Sequence, residues 1–261
     1  MTGKRNIYLM LILGFFTLYF IGTDRLSYIA IQSTVKNYDE VVEDESIKET
    51  LTSAEDLAGA DNLNFYFPSY ITDINFLETA YKKTSKTRGF DNMVKAVILP
   101  HHLVFPEKIA QFFIGLAETQ NVDTFFVLGP NHSYKGKYPI SVSKYGYSTP
   151  YGNLDINESK VDKILDLNLG YIGFDKDSFD GEYSISALVP FIKKSFPEAK
   201  IVPIVIKGGV NEKYIDALTN ALSSVAGPND IVLGSIDFSH YLPVSVSNFH
   251  DEMARTVIEN F

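Results

Sequence analysis

Histidine is the residue type that most clearly suggests chemistry in this chain of 261 residues. His101, His132 and His240 each follow an apolar run that is typical of a buried strand: VKAVILP, TFFVLGPN and IVLGSIDFS. Neutral imidazole is the commonest protein ligand for zinc, iron and copper. A single histidine after a strand more often has a structural role, but three strand ends that each deliver an imidazole favour a metal site.

A carboxylate could complete such a site. Two histidines and one carboxylate on one face of an octahedron leave positions open for a substrate or for oxygen. Asp237 directly follows the strand-like run Ile231–Ile236, so it is a candidate ligand or, alternatively, the partner that orients His240. Glu182 and Glu107 are more distant candidates.

The two remaining histidines are weaker candidates. His102 adjoins His101, and in an extended backbone neighbouring side chains point to opposite sides. We therefore expect His102 to support the ligands or to contact a substrate. His250 lies in the last predicted helix beside Asp251, where a surface position and a functional one are equally compatible with the sequence.

The elements that would position these residues alternate along the chain. Strands are predicted at residues 94–99, 124–128, 140–143, 201–206 and 231–236, and helices at 107–119, 161–167, 185–196, 212–225 and 247–260. This alternation predicts an α/β fold with a largely parallel or mixed central sheet flanked by helices on both faces. Right-handed crossovers would bring the carboxyl ends of the strands to one edge, where such folds usually bind ligands.

The chain begins with an apolar stretch, Ile7–Gly22, that contains no charged residue and follows Lys4 and Arg5. It is slightly shorter than the ~20 residues that span a bilayer comfortably. No small-residue cleavage site follows, which favours an uncleaved transmembrane anchor over a cleaved signal peptide. Because positive charge stays in the cytoplasm, we expect a single-pass protein whose remaining domain is extracytoplasmic.

Composition then suggests three regions: an anchor or signal segment at 1–24, an acidic stalk and lead-in at 25–91, and an α/β domain at 92–261. The net charge of -9 argues against a nucleic-acid partner, because phosphate binding needs a basic surface. The chain has no cysteine, so disulfides and thiolate metal sites are excluded. Neither a dinucleotide-binding glycine fingerprint nor a nucleophile elbow is present.

Several short motifs occur in a characteristic order: PHH at 100–102, LGPNH at 128–132, STPYG at 148–152, EYSI at 182–185, LVPF at 188–191 and DFSHY at 237–241. Their order and spacing resemble the Memo-like family, whose bacterial members are called AmmeMemoRadiSam system protein B. The resemblance covers roughly residue 95 to the end. It implies a fold like that of the class III extradiol dioxygenases, which use non-haem ferrous iron, and a metal-binding redox protein with iron or copper.

The resemblance also implies which residues bind the metal. His101 and His132 match two family ligands, and the third comes from the DFSH segment. Some relatives have cysteine where this chain has Ser239, so His240 or Asp237 would have to serve instead. Relatives continue beyond the last predicted helix, so a further segment is expected after residue 261.

The chain departs from the family pattern at two positions near the expected site. Tyr183 stands where the family usually has a histidine, and Ser186 stands where it usually has a glutamate. A phenol with a pKa near ~10 is a poorer base than an imidazole near ~6.5. The expected catalytic residues are therefore Glu182, Tyr183 and His240, with proton transfer weakened more than metal binding.

Three functional hypotheses follow. The first is an oxidoreductase that acts on an unidentified small molecule and uses a divalent metal, with iron as the first candidate and copper or zinc as alternatives. The second is a non-catalytic, membrane-tethered protein that binds a metal or another ligand, which Tyr183 and Ser186 favour. The third is a hydrolase that activates a metal-bound water.

Overall fold

The computed structural model describes residues 65–84, 88–239 and 241–260. The predicted anchor at 1–24 and most of the predicted stalk and lead-in lie outside these residues, and so does His240. Among the residues that the structure describes, no helix is both long enough and apolar enough to cross a membrane.

Nine strands form two sheets within the described part of the chain. They are β1 (Tyr66–Pro68), β2 (Ala96–Leu99), β3 (Thr124–Pro130), β4 (Ile140–Val142), β5 (Gly146–Thr149), β6 (Gly152–Leu154), β7 (Ile172–Gly173), β8 (Lys200–Ile206) and β9 (Asp230–Ser235). The central sheet has six strands in the order β2-β9-β3-β8-β4-β7. The first four strands in this order are parallel, whereas β4 is antiparallel to β8. The sheet is therefore mixed, with a parallel majority.

The second sheet has three strands in the order β1-β5-β6. Strand β1 pairs with β5 in parallel, and β5 and β6 form an antiparallel hairpin. The two residues between β5 and β6 are Pro150 and Tyr151. This hairpin carries the STPYG motif.

Continuous apolar runs explain the buried strands of the central sheet. Every residue of β3 and of β9 is buried, as expected for strands that are covered on both faces. Residues such as Phe125, Phe126 and Ile231 have side chains that suit a strand and are fully enclosed.

Seven helices lie in the described residues, and the central sheet is flanked by helices. They are α1 (Ile74–Lys82), α2 (Pro106–Thr119), α3 (Glu158–Leu165), α4 (Tyr183–Ser186), α5 (Val189–Ser195), α6 (Glu212–Val225) and α7 (Val244–Glu259). Helix α2 begins with a proline, which suits the first turn because its missing N–H needs no partner there. Helix α6 is capped by Asn211, whose side chain accepts a hydrogen bond from the backbone N–H of Lys213.

The structure corrects one of the sequence-based expectations. The single helix predicted at 185–196 is two helices, α4 and α5. Pro190 has no N–H to bond to the preceding turn, so the chain begins a new helix there instead of continuing the old one. Two elements precede the predicted boundary at residue 92: β1, which pairs with β5, and α1, which packs against α2.

Gly129 allows α4 to lie directly against the end of β3. A Cβ atom added at Gly129 would lie 2.3 Å from Ser184 Oγ and 2.8 Å from Ser184 Cβ. Ser184 is buried, and its hydroxyl donates a hydrogen bond of 2.9 Å to the carbonyl of Pro130. A larger residue at position 129 would therefore displace α4 or break this bond.

We expect Gly129→Ala to lower the free energy of unfolding by about 2–3 kcal/mol, because overpacking a rigid site costs about 1–3 kcal/mol and a buried hydrogen bond is also disturbed. Urea unfolding followed by circular dichroism would measure it. Gly115→Ala in α2 is the matched control, since its added Cβ would meet its nearest neighbour at an ordinary 3.4 Å. The control should be neutral or stabilising, and equal effects of the two substitutions would contradict the packing argument.

Candidate metal centre

Three neighbouring parallel strands deliver the candidate residues to one edge of the central sheet. Strand β9 lies between β2 and β3. His101, His132 and Asp237 each lie two residues beyond the end of one of these strands. The ring centroids of the two histidines are 5.1 Å apart, with an angle of 81° between the ring planes. In the structure these residues therefore lie at one common edge of the sheet, as expected from the sequence.

His101 is buried, and its hydrogen-bond partners determine which ring nitrogen carries the hydrogen. Its Nδ1 lies 3.2 Å from the carbonyl oxygen of Ser235 and 3.1 Å from Ser235 Oγ. The Ser235 hydroxyl donates its own hydrogen to the carbonyl of Ser184. Because a carbonyl can only accept and the hydroxyl hydrogen is already used, Nδ1 must be the donor. The neutral ring then has its lone pair on Nε2.

Burial also decides the charge of His101. It lowers the pKa of this imidazole to about 4, and the nearby charge of Asp237, which acts in the opposite direction, does not compensate. The ring is therefore neutral at pH near 7, which is the state in which histidine binds metal ions.

Asp237 contacts both the backbone and the ring of His101. Its Oδ1 accepts hydrogen bonds from the backbone N–H groups of His101, at 2.9 Å, and of His102, at 3.0 Å. Its Oδ2 lies 3.5 Å from Nε2 of His101. Asp237 thus fixes the turn after β2 and presents its second oxygen to the nitrogen that carries the lone pair.

Glu182 holds His132 in a similar way. Its Oε1 lies 2.8 Å from Nδ1 of His132, and its Oε2 accepts the backbone N–H of the same residue at 2.7 Å. Burial alone would raise the pKa of this carboxyl, but the hydrogen bonds and charge of His132, together with the backbone N–H of Ser184, hold it below its usual range. Glu182 is therefore ionised at neutral pH, and Nδ1 of His132 is the donor.

Tyr183 covers His132. The two rings stack with centroids 4.3 Å apart and planes 12° from parallel, and Tyr70 lies beyond Tyr183 at 5.9 Å. Burial, with the charge of Glu182, raises the pKa of Tyr183 to about 12. The phenol keeps its hydrogen at neutral pH, so it can donate a hydrogen bond but is a poor base, as the sequence suggested.

The structure does not bring every candidate into this cluster. Glu107, in the first turn of α2, lines a surface cleft with residues of α1. His250 is exposed on α7, and His102 is exposed beside His101. His240, predicted both as a ligand and as a catalytic residue, lies outside the described residues. Its role stays a prediction.

No group of three or more histidine, aspartate or glutamate side chains in the described residues has an arrangement that would hold a metal ion as it stands. His101, His132 and Asp237 approach one another without reaching that arrangement. They offer imidazole nitrogen and carboxylate oxygen, a donor set that suits iron and zinc.

Sequence reasoning missed two buried residues of the site, Ser184 and Ser235. Both are fully enclosed; Ser235 hydrogen-bonds to the ring of His101, and the backbone N–H of Ser184 donates to Glu182, which holds His132. The available signal was a polar residue at the end of an apolar strand: Ser235 ends the run IVLGS. A buried hydroxyl needs partners, and here the partners belong to the site.

The low pKa of His101 predicts a pH-dependent stability. Below the unfolded pKa of about 6.5 the unfolded chain binds a proton that the folded chain rejects. The free energy of unfolding should therefore fall as pH drops from about 6.5 to the folded pKa of about 4, by at most about 1.4 kcal/mol per pH unit. Below that range both states bind the proton and this contribution stops changing.

Urea unfolding of chelator-treated protein between pH 7.5 and pH 4 would measure this slope, and His101→Gln should make it shallower. His250→Gln, which removes an exposed imidazole from α7, is the control and should keep the slope of the unsubstituted protein. An unchanged slope in His101→Gln would show that His101 does not cause the dependence.

Comparison with known proteins agrees with the motifs. The family model described as Memo-like protein matches residues 64–260. A MEMO1 family protein of Caldivirga maquilingensis is 27% identical over 179 residues, which cover 67% of this chain and 63% of the relative. A MEMO1 family protein of Pyrobaculum aerophilum is 31% identical over 153 residues, which cover 57% of this chain and 53% of the relative.

A MEMO1 family protein of Thermococcus onnurineus is 28% identical over 188 residues, which cover 68% of this chain and 63% of the relative. The chain thus spans less than two thirds of the length of these relatives. The family match nevertheless covers most of the 261 residues, and it includes both histidines and the carboxylates that hold them. The chain belongs to the Memo-like protein family.

Proposed function

We propose that this Memo-like domain binds one divalent metal ion through Nε2 of His101 and Nε2 of His132, and that it is a metal-dependent oxidoreductase. Iron is the first candidate, with copper and zinc as alternatives. The observation that carries the proposal is the hydrogen-bonding state of the two imidazoles.

Both rings carry their hydrogen on Nδ1. His101 Nδ1 faces a carbonyl that can only accept, and His132 Nδ1 faces an ionised carboxylate at 2.8 Å. The lone pair of each ring is therefore on Nε2. Metal-binding histidines usually have this arrangement, in which the nitrogen opposite the metal donates to a carbonyl or a carboxylate that orients the ring.

The position of Asp237 supports a cation beside His101. An unprotonated Nε2 and a carboxylate Oδ2, 3.5 Å apart, are both hydrogen-bond acceptors. Two acceptors at this separation repel each other unless a positive charge contacts both. A divalent cation would remove this repulsion, so Asp237 is the candidate for the third metal ligand among the residues that the structure describes. His240 is the alternative.

When bound, a ferrous or cupric ion would supply redox chemistry and Lewis acidity. The residues of the chain would bind and orient the substrate. Tyr183 and Tyr70 provide an exposed aromatic wall beside His132, and the phenol of Tyr183 can donate a hydrogen bond to a bound oxygen atom. Glu182 keeps His132 in one orientation and does not move a proton itself.

Metal analysis of the full chain tests the proposal. We expect about one metal ion per chain after anaerobic loading with ferrous iron, and at least about a tenfold loss of affinity in His101→Ala and in His132→Ala, because each substitution removes a ligand. His250→Ala on α7 is the matched control and should bind like the unsubstituted protein. Failure of the unsubstituted protein to bind iron, copper or zinc would refute the proposal.

Oxygen consumption separates an enzyme from a non-catalytic binder. We expect the iron-loaded protein to consume oxygen with catechols or other small phenols, and Tyr183→His to raise the rate by about tenfold or more, because imidazole is the better proton acceptor. Activity in Tyr183→His alone would identify the natural chain as a metal binder that lacks a base. No activity in either protein, with iron bound in both, would oppose the oxidoreductase assignment for these substrates.

A further inference from the structure

We propose that Ser235 is a positioning residue that determines which nitrogen of His101 carries the hydrogen, in competition with Asp237. This inference rests on the proposed function in one respect: it explains how Nε2 is kept available to a metal. It assigns Ser235 a role in controlling the tautomer of a neighbouring histidine.

The neutral imidazole of His101 carries one N–H hydrogen, and each of its two ring nitrogens faces an acceptor. On the Nδ1 side, the carbonyl oxygen and Oγ of Ser235 lie at 3.2 Å and 3.1 Å. On the Nε2 side, Oδ2 of Asp237 lies at 3.5 Å. A carboxylate is a stronger acceptor than a neutral oxygen, so Asp237 favours the tautomer with the hydrogen on Nε2. Two neutral acceptors together are needed to oppose it.

The hydroxyl of Ser235 can act only as an acceptor toward His101. It donates its hydrogen to the carbonyl of Ser184, and this donation makes its oxygen a better acceptor. Ser235 is fully buried, so water does not compete for these bonds. A hydroxyl free to rotate would be able to donate to Nδ1 and stabilise the opposite tautomer, and the bond to the Ser184 carbonyl prevents that rotation.

Ser184 connects this arrangement to the second histidine. Its backbone N–H donates to Oε1 of Glu182 at 2.8 Å, and the same oxygen accepts from Nδ1 of His132. Its hydroxyl donates to the carbonyl of Pro130 at the end of β3. One hydrogen-bonded network thus holds both rings with their hydrogens on Nδ1.

The tautomer matters because a nitrogen that carries a hydrogen cannot bind a metal. If the hydrogen of His101 moved to Nε2, it would lie between that nitrogen and Asp237, where the proposed cation belongs. Removing the Ser235 hydroxyl therefore weakens metal binding although Ser235 itself contacts no metal.

Ring-nitrogen NMR of the full, metal-free chain labelled with ¹⁵N-histidine tests this inference at constant neutral pH, with the His101 signals assigned by comparison with His101→Gln. We expect His101 to be protonated on Nδ1 in the unsubstituted protein and to shift toward the Nε2-protonated form in Ser235→Ala. Ferrous iron affinity should fall by about 10- to 100-fold in that variant, the range seen when a group that orients a ligand is lost.

Ser141→Ala is the matched control. Ser141 is also a buried strand serine, and its hydroxyl pairs with Ser178 at 2.8 Å, away from the histidines. This substitution should change neither the His101 tautomer nor the iron affinity. Ser235→Thr, which keeps the hydroxyl, should retain the Nδ1-protonated form.

The outcomes separate the two proposals. A tautomer shift in Ser235→Ala, with no metal bound by any variant, supports the role of Ser235 and refutes the proposed function. Metal binding by the unsubstituted protein, with an unchanged tautomer in Ser235→Ala, refutes the role of Ser235 alone. If Ser235→Ala does not fold, the unsubstituted protein still decides, because an Nε2-protonated His101 there would overturn the inference.

Discussion

The parallel pairing of β9 with β2 on one side and β3 on the other is the constraint on which the rest of the site depends. Its register aligns Leu99 with Ser235 and Leu128 with Gly234. Since the three strands run in the same direction, the residues that follow them emerge together at one edge. The order of the strands thus creates the site, because strand pairing brings together residues that are far apart in the sequence.

At that edge, each histidine has a carboxylate that accepts its backbone N–H and also approaches its ring, but the two carboxylates approach different ring nitrogens. Glu182 accepts the backbone N–H and the Nδ1–H of His132, so it orients that ring. Asp237 accepts the backbone N–H of His101 but approaches the opposite ring nitrogen, Nε2. Glu182 therefore orients a histidine ring, whereas Asp237 lies where a ligand of the proposed metal would lie.

Tyr183 affects both the packing of the two histidine rings and the proton chemistry available beside them. Its ring stacks on one face of His132 and also lies 5.5 Å from the ring of His101, so it contacts both histidines. Its high pKa removes it as a proton acceptor at neutral pH. The packing beside His132 and the lack of a proton acceptor at this position at neutral pH are thus due to the same side chain.

The sequence by itself determined the alternating elements, the edge that would carry the histidines, and the family. Apolar runs such as β3 and periodic helices such as α6 identify themselves because burial imposes the pattern on the residues. Only the tertiary structure decided that Glu182 orients a ring and that Ser235 and Ser184 belong to the site. These are contacts between residues roughly 50 to 135 positions apart, and a pattern in neighbouring residues cannot encode them, because they arise only when the strands pair.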